Sequence, residues 1–161
     1  MEKVYIGKIV NTHGIKGEMR ILSDFPFKDK AFLTGSVIYI DNEKHIIKSY
    51  RRHKNYDMIT IDEYNNINDV LKYMKKKVYK DRNDLRLDKN EILDSDLIKY
   101  KVIDSSGSSG IIKEIFMASP TNKILRVLLK KEVLIPLNSD IIKNIDYDKK
   151  EILVELIDGM M

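Results

Sequence analysis

Short segments in which apolar and polar residues alternate constrain this chain more than any other feature of its sequence. Between residues 4 and 61, five such segments are rich in β-branched and aromatic residues, and turn residues flank each of them. Alternation with a period of two gives a strand one side for a core and one side for water. The first part of the chain is therefore predicted to be a β-domain with the strands VYIGKIV, EMRIL, SVIYID, KHIIKSY and DMITID.

Turn residues lie between the predicted strands. Asp41 and Asn42 are expected to form a tight hairpin turn, because Asp and Asn tolerate left-handed backbone angles better than most residues. The stretch NTHGIKGEMR, residues 11–20, is interpreted as a bend in which Gly14 and Gly17 supply positive φ or allow close backbone approach. A strand follows these glycines where nucleotide-binding loops would need a helix, so neither a Walker loop nor a dinucleotide loop is predicted.

The period changes after residue 65. Ile67, Val70, Leu71 and Met74 recur at spacings of three and four, which predicts one short amphipathic helix over about residues 67–77. Asn66 is the expected N-cap of this helix. The following VYK segment, residues 78–80, is predicted to return the chain to a strand.

Residues 81–96, DRNDLRLDKNEILDSD, are nearly all charged or polar, which is typical of an interdomain linker. We place a first domain at 1–84, a linker at 85–95 and a second domain at 96–161. In the second domain SSGSSG is interpreted as a hairpin loop, and SDIIKNIDYD is expected to contain a helical turn capped by Ser139. The strands predicted there are KYKVID, GIIKEIFMA, KILRVLLKK, EVLIPL and KEILVEL.

The predicted fold is therefore all-β with one short helix. Two small β-domains of five or six strands explain the pattern more simply than one large sandwich. Small closed barrels are favoured because closure leaves no exposed strand edge.

Several kinds of chemistry are excluded or unsupported. The chain has no Cys, so it can form neither a disulfide nor a thiolate metal site. His13, His45 and His53 lie far apart without the spacing of metal ligands, and the nucleophile motif Gly-x-Ser-x-Gly does not occur. We predict no metal, no cofactor, no small-molecule substrate and no enzymatic activity.

Charge favours a polyanionic partner. The chain carries 29 basic and 25 acidic residues, a net charge of +4, which makes contact with nucleic acid plausible without requiring it. No apolar run is long enough for a signal peptide or a membrane span, so a cytoplasmic location is the default expectation. RRHKNY, residues 51–56, is expected to lie in a longer, basic loop between two strands. Lys16 and Arg20 in the first bend, and Arg51 and Arg52 in this loop, could face phosphate. The alternative for the latter stretch is a solvated hairpin tip.

The segment ILDSDLI, residues 92–98, brings apolar residues together where the linker meets the second domain. Ile92, Leu93 and Leu97 could pack against that domain or form part of a protein-binding surface around Asp96. The residues leave both roles open.

The ordered set of motifs resembles the bacterial ribosome maturation factor RimM family. The resemblance begins with IGKIVNTHGIKGEMRIL, residues 6–22, and includes the helix and the VY strand. It continues through DLI, GIIKEI, ILRVLL, VLIPL and ILVELIDGM, and so covers almost the whole chain in the right order. Ile92 and Leu93 stand where the family usually has an aromatic pair.

The resemblance implies a six-stranded N-terminal barrel like those of translation factors and a C-terminal PRC-type barrel. It also implies a non-enzymatic assembly factor for the small ribosomal subunit. Such a factor would bind small-subunit ribosomal protein nineteen and the immature subunit, and would support maturation of the head, the three-prime domain of 16S rRNA, with rRNA processing as an indirect effect. The alternative is a general RNA-binding β-barrel protein outside ribosome assembly.

On this interpretation the second domain and the linker bind the ribosomal protein, and the first domain contacts rRNA. The expected protein-binding residues are Ile92, Leu93, Asp96 and Leu97. The expected RNA contacts are Lys16, Arg20, Arg51 and Arg52.

Overall fold

The computed structural model describes residues 1–157, 159 and 160. The chain divides between Leu87 and Asp88 into two compact units. The boundaries expected from the sequence, 1–84, 85–95 and 96–161, stay a prediction. Met161, which ends the predicted second domain, and Asp158, within ILVELIDGM, lie outside the described residues.

The first unit is a closed barrel of six strands. In chain order the strands are β1 (Lys3–His13), β2 (Glu18–Leu22), β3 (Val37–Ile40), β4 (Glu43–His53), β5 (Tyr56–Ile61) and β6 (Lys77–Asp81). Around the barrel the order is β1-β2-β5-β4-β3-β6, and antiparallel pairing of β1 with β6 closes it. All five strand segments predicted from alternation form strands, and so does VYK.

Isoleucine dominates the interior of this barrel, in agreement with the alternation in the sequence. Met19 and Ile21 on β2, for example, are fully buried, while their neighbours on the strand are not. Fully buried apolar residues come from every strand of the barrel and include Ile9, Met19, Ile21, Ile38, Ile40, Ile47, Ile59, Ile61 and Val78.

The connections in the first unit differ in part from the prediction. Asp41 and Asn42 have φ of +55° and +64°, the left-handed values that a tight hairpin turn requires. The expected long basic loop at residues 51–56 is wrong, because β4 continues to His53 and β5 begins at Tyr56. Polar residues can extend a hairpin beyond its core because ladder hydrogen bonds need no apolar side chain.

The predicted helix is present but shorter than expected. It consists of α2 (Ile67–Val70) and a 3-10 turn (Leu71–Tyr73), and its N-cap is Asn66, whose side chain accepts a hydrogen bond from Asn68 N at 2.9 Å. Lys75 has φ of +66°, which ends the helical path before β6 begins. Three further single-turn helices are α1 (Lys28–Ala31), α3 (Arg82–Leu85) and α4 (Asp94–Leu97).

One lysine lies inside the first barrel. Lys80 on β6 is fully buried, and its Nζ donates to Ser36 Oγ at 2.7 Å and to the Val37 carbonyl at 2.9 Å. Burial lowers the pKa of this ammonium group, because desolvation disfavours its charged form. Lys80 therefore adds to the formal charge of the unit without adding a charge to its surface.

The second unit is a six-stranded sheet with the order β10-β9-β8-β7-β12-β11. Its strands are β7 (Lys101–Ile103), β8 (Ser109–Ser119), β9 (Asn122–Leu128), β10 (Glu132–Pro136), β11 (Ile142–Asp146) and β12 (Glu151–Val154). The pairing of β12 with β7 is parallel, and the other pairings are antiparallel. The helical turn expected after Ser139 is wrong, because residues 142–146 form β11; the segment is short and does not alternate strictly.

The second unit has its own core and an ordered loop in place of a flexible one. Leu125, Val127, Ile135 and Ile152 are fully buried at its centre. In the loop between β7 and β8, Asp104 Oδ1 accepts hydrogen bonds from the backbone N–H groups of residues 106 and 108, each at 3.0 Å. The SSGSSG stretch is thus a side-chain-capped hairpin loop.

None of the helices in the described part of the chain is long and apolar enough to cross a membrane.

Candidate functional site

The bend between β1 and β2 is fixed by glycine and by contact with α2. Gly14 and Gly17 have φ of +69° and +88°, a region that strains residues with a side chain. A Cβ on Gly17 would also lie 3.2 Å from the Asn66 carbonyl oxygen. Ile67 N donates to the Ile15 carbonyl at 2.9 Å, so the bend is held against the start of α2.

Polar side chains gather beside this bend. On β2, Glu18 and Arg20 alternate with buried residues and therefore face away from the core. The ends of β1 and β4 bring one histidine each, and β5 begins with a tyrosine. We call this group the basic cluster, and define it as His13, Glu18, Arg20, Arg51, His53 and Tyr56.

Arg20 is held by a histidine and an aromatic ring. Its Nη2 lies 2.8 Å from His13 Nδ1, and because arginine only donates, Nδ1 is the acceptor and carries no proton. The guanidinium lies 5.8 Å from the centre of the Tyr56 ring. Arg20 Nε is buried without a hydrogen-bond partner in the described part of the chain.

Arg51 is held by the one carboxylate of the cluster. Its Nε and Nη2 donate to the two oxygens of Glu18 at 2.8 and 2.7 Å, a bidentate geometry. These hydrogen bonds are the main reason that the pKa of Glu18 is lowered. The Arg51 side chain is 48% exposed, so solvent or a ligand can reach it.

The two histidines of the cluster lie close together. The rings of His13 and His53 are 5.4 Å apart between centroids. Desolvation, followed by the charge of Arg51, lowers the pKa of His53. The surroundings of this imidazole thus oppose its positive form.

Arg52 belongs to a different group. Its Nη1 donates to Asp57 Oδ2 at 2.8 Å, and the same buried carboxylate accepts from Lys28 Nζ at 2.9 Å and Tyr50 Oη at 2.6 Å. Burial, followed by the hydrogen bond to Asp57, raises the pKa of Tyr50 to about 12. Arg52 is therefore paired with a buried carboxylate, while 46% of its own side chain is exposed.

A cleft adjoins the basic cluster. It has a volume of about 410 Å³ and is lined by His13, Gly14, Ile15, Lys16, Glu18 and Thr60. Lys16 is exposed at the bend, and Ile15 gives the cleft an apolar wall with 78% of its side chain exposed. The structure thus brings Lys16, Arg20 and Arg51 to one region and separates Arg52 from them.

Sequence reasoning did not include His13 and Glu18 among the site residues, and it considered His53 and Tyr56 only as part of the basic stretch RRHKNY. Their position at the ends of alternating strands was visible, but the pairing that brings them together was not. β2 pairs with β5, with Arg20 opposite Met58, across a sequence separation that no local pattern reports.

The residues expected to bind a protein lie on and before α4. Leu93 and Leu97 are only 6% and 5% exposed, so they pack inside the protein. Ile92 is half-buried against the core of the second unit, and Asp96 is half-buried in the first turn of α4. The neighbouring Ile98, 38% exposed, is the more accessible apolar side chain.

The outer surface of the second sheet carries a different kind of ion pair. Arg126 Nε donates to Glu114 Oε2 at 2.9 Å, and its Nη1 donates to Glu132 Oε1 at 2.6 Å. One cation thus lies between two carboxylates. The basic cluster has the reverse balance, since its one carboxylate lies among several cationic or titratable groups.

The total charges of the two units differ in the same way as these two clusters, with the first unit the more positive. Residues 1–87 contain 18 basic and 12 acidic side chains, a net charge of +6. Residues 88–161 contain 11 basic and 13 acidic side chains, a net charge of −2. The overall charge of +4 is therefore located in the first unit.

Two family models match the chain. The model described as the RimM N-terminal domain matches residues 4–85, and the model described as the RimM PRC barrel domain matches residues 94–160. Together they cover most of the chain.

The chain is also similar to curated proteins and to solved structures. The ribosome maturation factor RimM of Staphylococcus haemolyticus is 36% identical, and that of Staphylococcus aureus strain MRSA252 is 34% identical, over 166 aligned positions that cover 99% of each chain. A crystal structure described as a 16S ribosomal RNA processing protein RimM from Pseudomonas aeruginosa is 20% identical, with a TM-score of 0.47 and coverage of 97% of this chain and 98% of its own. The N-terminal domain of RimM from Thermus thermophilus is 18% identical, with a TM-score of 0.47, and covers 54% of this chain and 98% of its own.

Proposed function

Because this chain belongs to the RimM family of ribosome maturation factors, we propose that its two units bind two different components of the immature small subunit. The first unit contacts ribosomal RNA, and the second binds small-subunit ribosomal protein nineteen. By binding both, the protein supports maturation of the head, the three-prime domain of 16S rRNA, without catalysing a reaction. Processing of the RNA then follows indirectly from correct assembly.

The observation that carries this proposal is the separation of charge. The unit with net charge +6 suits a polyanion, since RNA affinity depends mainly on phosphate contacts. The unit with net charge −2 suits a basic partner, and a protein that binds ribosomal RNA must present basic surfaces. One chain can therefore hold two components that attract each other.

On the first unit, Lys16, Arg20 and Arg51 are the proposed RNA contacts. Lys16 lines the cleft, whereas Arg20 and Arg51 contact His13 and Glu18 of its lining. Arg52 was expected to join them, and its proposed role is now secondary, because its guanidinium is bound to buried Asp57. The release of Arg52 would leave a buried carboxylate with fewer donors.

On the second unit, Ile92 and Asp96 are the proposed direct contacts. Leu93 and Leu97, also expected in this role, support the surface from beneath, because both are buried. Asp94 adds a second acidic side chain in the first turn of α4 and pairs with Lys123 Nζ at 2.7 Å. A basic segment of the partner would compete for these carboxylates.

Such a factor acts by binding the precursor more tightly than the mature subunit. Completion of the head then weakens its contacts and releases it, because a ligand shifts an equilibrium only by its difference in affinity for the two states. The proposal therefore requires affinity for the immature subunit to exceed that for the mature one.

Binding to purified small-subunit ribosomal protein nineteen tests the proposal. We expect a wild-type complex by titration calorimetry, and an affinity about tenfold lower for the double variant Ile92→Ser with Asp96→Asn. Asp140→Asn is a matched control, since Asp140 is exposed in the same unit and the substitution removes the same charge. Leu93 and Leu97 are left unchanged, because their replacement would test the fold.

The absence of a wild-type complex would reject the partner. Equal affinity of the double variant and the control would keep the partner and reject the site. Affinity for free RNA that falls steeply with salt, without any complex with the ribosomal protein, would instead favour a general RNA-binding protein.

A further inference from the structure

The basic cluster has more positive groups than it can neutralise. Glu18 is its only carboxylate, and Arg51 already occupies both oxygens of that group. Arg20 and the neighbouring Lys54 pair with no carboxylate in the described part of the chain. Several cationic or titratable groups thus face the same small region of surface.

Two details show that the cluster lacks an acceptor. Arg20 Nε is buried without a partner, although a buried donor that makes no hydrogen bond is costly. The pKa of His53 is lowered mainly by desolvation and then by nearby positive charges, those of Arg51, Lys54 and Arg20 among them. An anion placed beside these groups would relieve their mutual repulsion.

We infer that the basic cluster is a binding site for one phosphodiester group of an unpaired RNA segment, and that the adjoining cleft receives the base next to it. This inference rests on the proposed RNA contact of the first unit and names its ligand more closely. Arg20 is its main phosphate contact. His13 is a positioning residue, because its Nδ1 fixes the guanidinium from the side.

The shape of the cleft favours unpaired RNA over a duplex. Its volume of about 410 Å³ has room for a nucleobase, Ile15 supplies an apolar wall, and Thr60 and Glu18 supply polar atoms. A base can enter such a cleft only when it is free of its stack and its partner. The phosphate beside that base would then lie against the basic cluster.

Fluorescence anisotropy with a labelled short single-stranded RNA tests the inference, with a duplex of the same length as comparison. The full-length protein is titrated as wild type, Arg20→Gln, His53→Gln and Lys44→Gln. Lys44 is exposed on β4, belongs to neither the cluster nor the cleft, and controls for the loss of one positive charge. Thermal unfolding checks that each variant folds.

The two cluster variants separate direct contact from general attraction. We expect Arg20→Gln to weaken single-strand binding about tenfold, and Lys44→Gln to weaken it far less. At about pH 8 the His53→Gln substitution leaves the net charge unchanged, so a loss of affinity there reports contact rather than long-range charge. If the half-buried Arg20 cannot be replaced without loss of folding, His53→Gln alone still tests the site.

The pH dependence gives an independent measurement. Bound phosphate favours the protonated form of His53, which Arg20, Arg51 and Lys54 oppose and Glu18 supports. His13, the other imidazole that faces it, is neutral while its Nδ1 accepts from Arg20. Wild-type affinity should therefore rise as the pH falls from about 8 to about 6, and His53→Gln should reduce this rise. A rise of the same size in the variant would remove His53 from the site.

Equal affinity of wild type, Arg20→Gln and His53→Gln would overturn the inference and leave the proposed function standing. Equal affinity of the wild type for single strand and duplex would overturn the role of the cleft. If the wild type binds neither RNA, the inference and the RNA half of the proposed function both fail, while the test with ribosomal protein nineteen remains separate.

Discussion

The two units are both small β-folds with an arginine–carboxylate network on the sheet surface, yet their electrostatics are opposite. In the first, Glu18 is the single carboxylate of a cluster with two arginines and two histidines. In the second, Arg126 is a single cation between Glu114 and Glu132. The difference shows that β-surfaces of one general design can present opposite balances of charge.

The first unit also contains two kinds of ion pair, one at the surface and one with a buried carboxylate. Arg51 and Arg52 are adjacent in sequence and point to different carboxylates, one half-exposed pair at Glu18 and one buried acceptor at Asp57. Net charge counts them equally. The structure makes only the first available to a ligand without loss of a buried ion pair.

The largest expected effect is on Asp57. Asp57→Ala should lower the free energy of unfolding by about 3 kcal/mol, because Lys28, Tyr50 and Arg52 would lose their shared acceptor. Urea unfolding measures the change, and Asp24→Ala, in an exposed loop of the same unit, is the control. A loss no larger than that of the control would mean that Asp57 does not hold the first unit together.

A smaller effect is expected for Glu18→Gln. The substitution frees Arg51 and makes the first unit more positive, so affinity for single-stranded RNA should rise about threefold at low salt. Anisotropy titration measures it, with Glu63→Gln, an exposed site of the same unit, as the charge-matched control. A decrease would show that Glu18 itself contacts the RNA.

The same variant should alter the pH dependence of stability. The pKa of Glu18 is lowered in the folded state, so its contribution to stability is present above the unfolded value of 4.5 and is lost as the pH falls through the folded value. Wild type should therefore exceed Glu18→Gln in unfolding free energy at neutral pH, and the difference should shrink in acid.

The smallest effect is expected for Lys80→Met, which removes a formal charge from the first unit but none from its surface. RNA affinity should stay unchanged, whereas loss of the exposed Lys16, which lines the cleft beside the basic cluster, should reduce it. Anisotropy at low salt measures this, with Lys16→Met as the matched comparison. A clear loss of RNA affinity in Lys80→Met would contradict the claim that Lys80 adds no charge to the surface of the first unit.

Lys80→Met also has a stability readout with a defined sign. The folded pKa of Lys80 lies below its unfolded value of 10.5, so folding opposes the charged amine below the folded pKa. That penalty disappears as the pH rises through the folded value toward the unfolded one. Wild type should gain stability relative to the variant over this alkaline range, as measured by urea unfolding.

Local patterns in the sequence predicted most of the strands correctly. Alternation found five of the six strands of the first barrel, because one side of each must be apolar to fill a closed interior, and the VYK segment after the helix indicated the sixth. It did not find β11, which is short and alternates poorly, and it ended β4 before Arg51. Strands of polar residues rely on backbone pairing with a neighbour, and side-chain periodicity does not report that pairing.

The candidate site was only half predictable for a related reason. Lys16, Arg20 and Arg51 stand out as basic residues in turns and strand ends. The histidines and Glu18 gain their meaning only when β1, β2, β5 and β4 lie side by side. Likewise, the burial of Leu93 and Leu97 follows from how α4 packs, and a sequence of alternating acidic and apolar residues does not reveal which side chains reach solvent.

The closure of the first barrel by β1 and β6 also has to wait until the chain between these strands has been synthesised. Lys3 pairs with Asp81, and a ribosome that adds about 5 to 20 residues per second needs roughly 4 to 16 seconds to make the chain between them. Throughout that interval the outer edge of β1 has no strand to pair with, so the barrel cannot close. The rate of translation therefore limits how early the first unit can complete its folding.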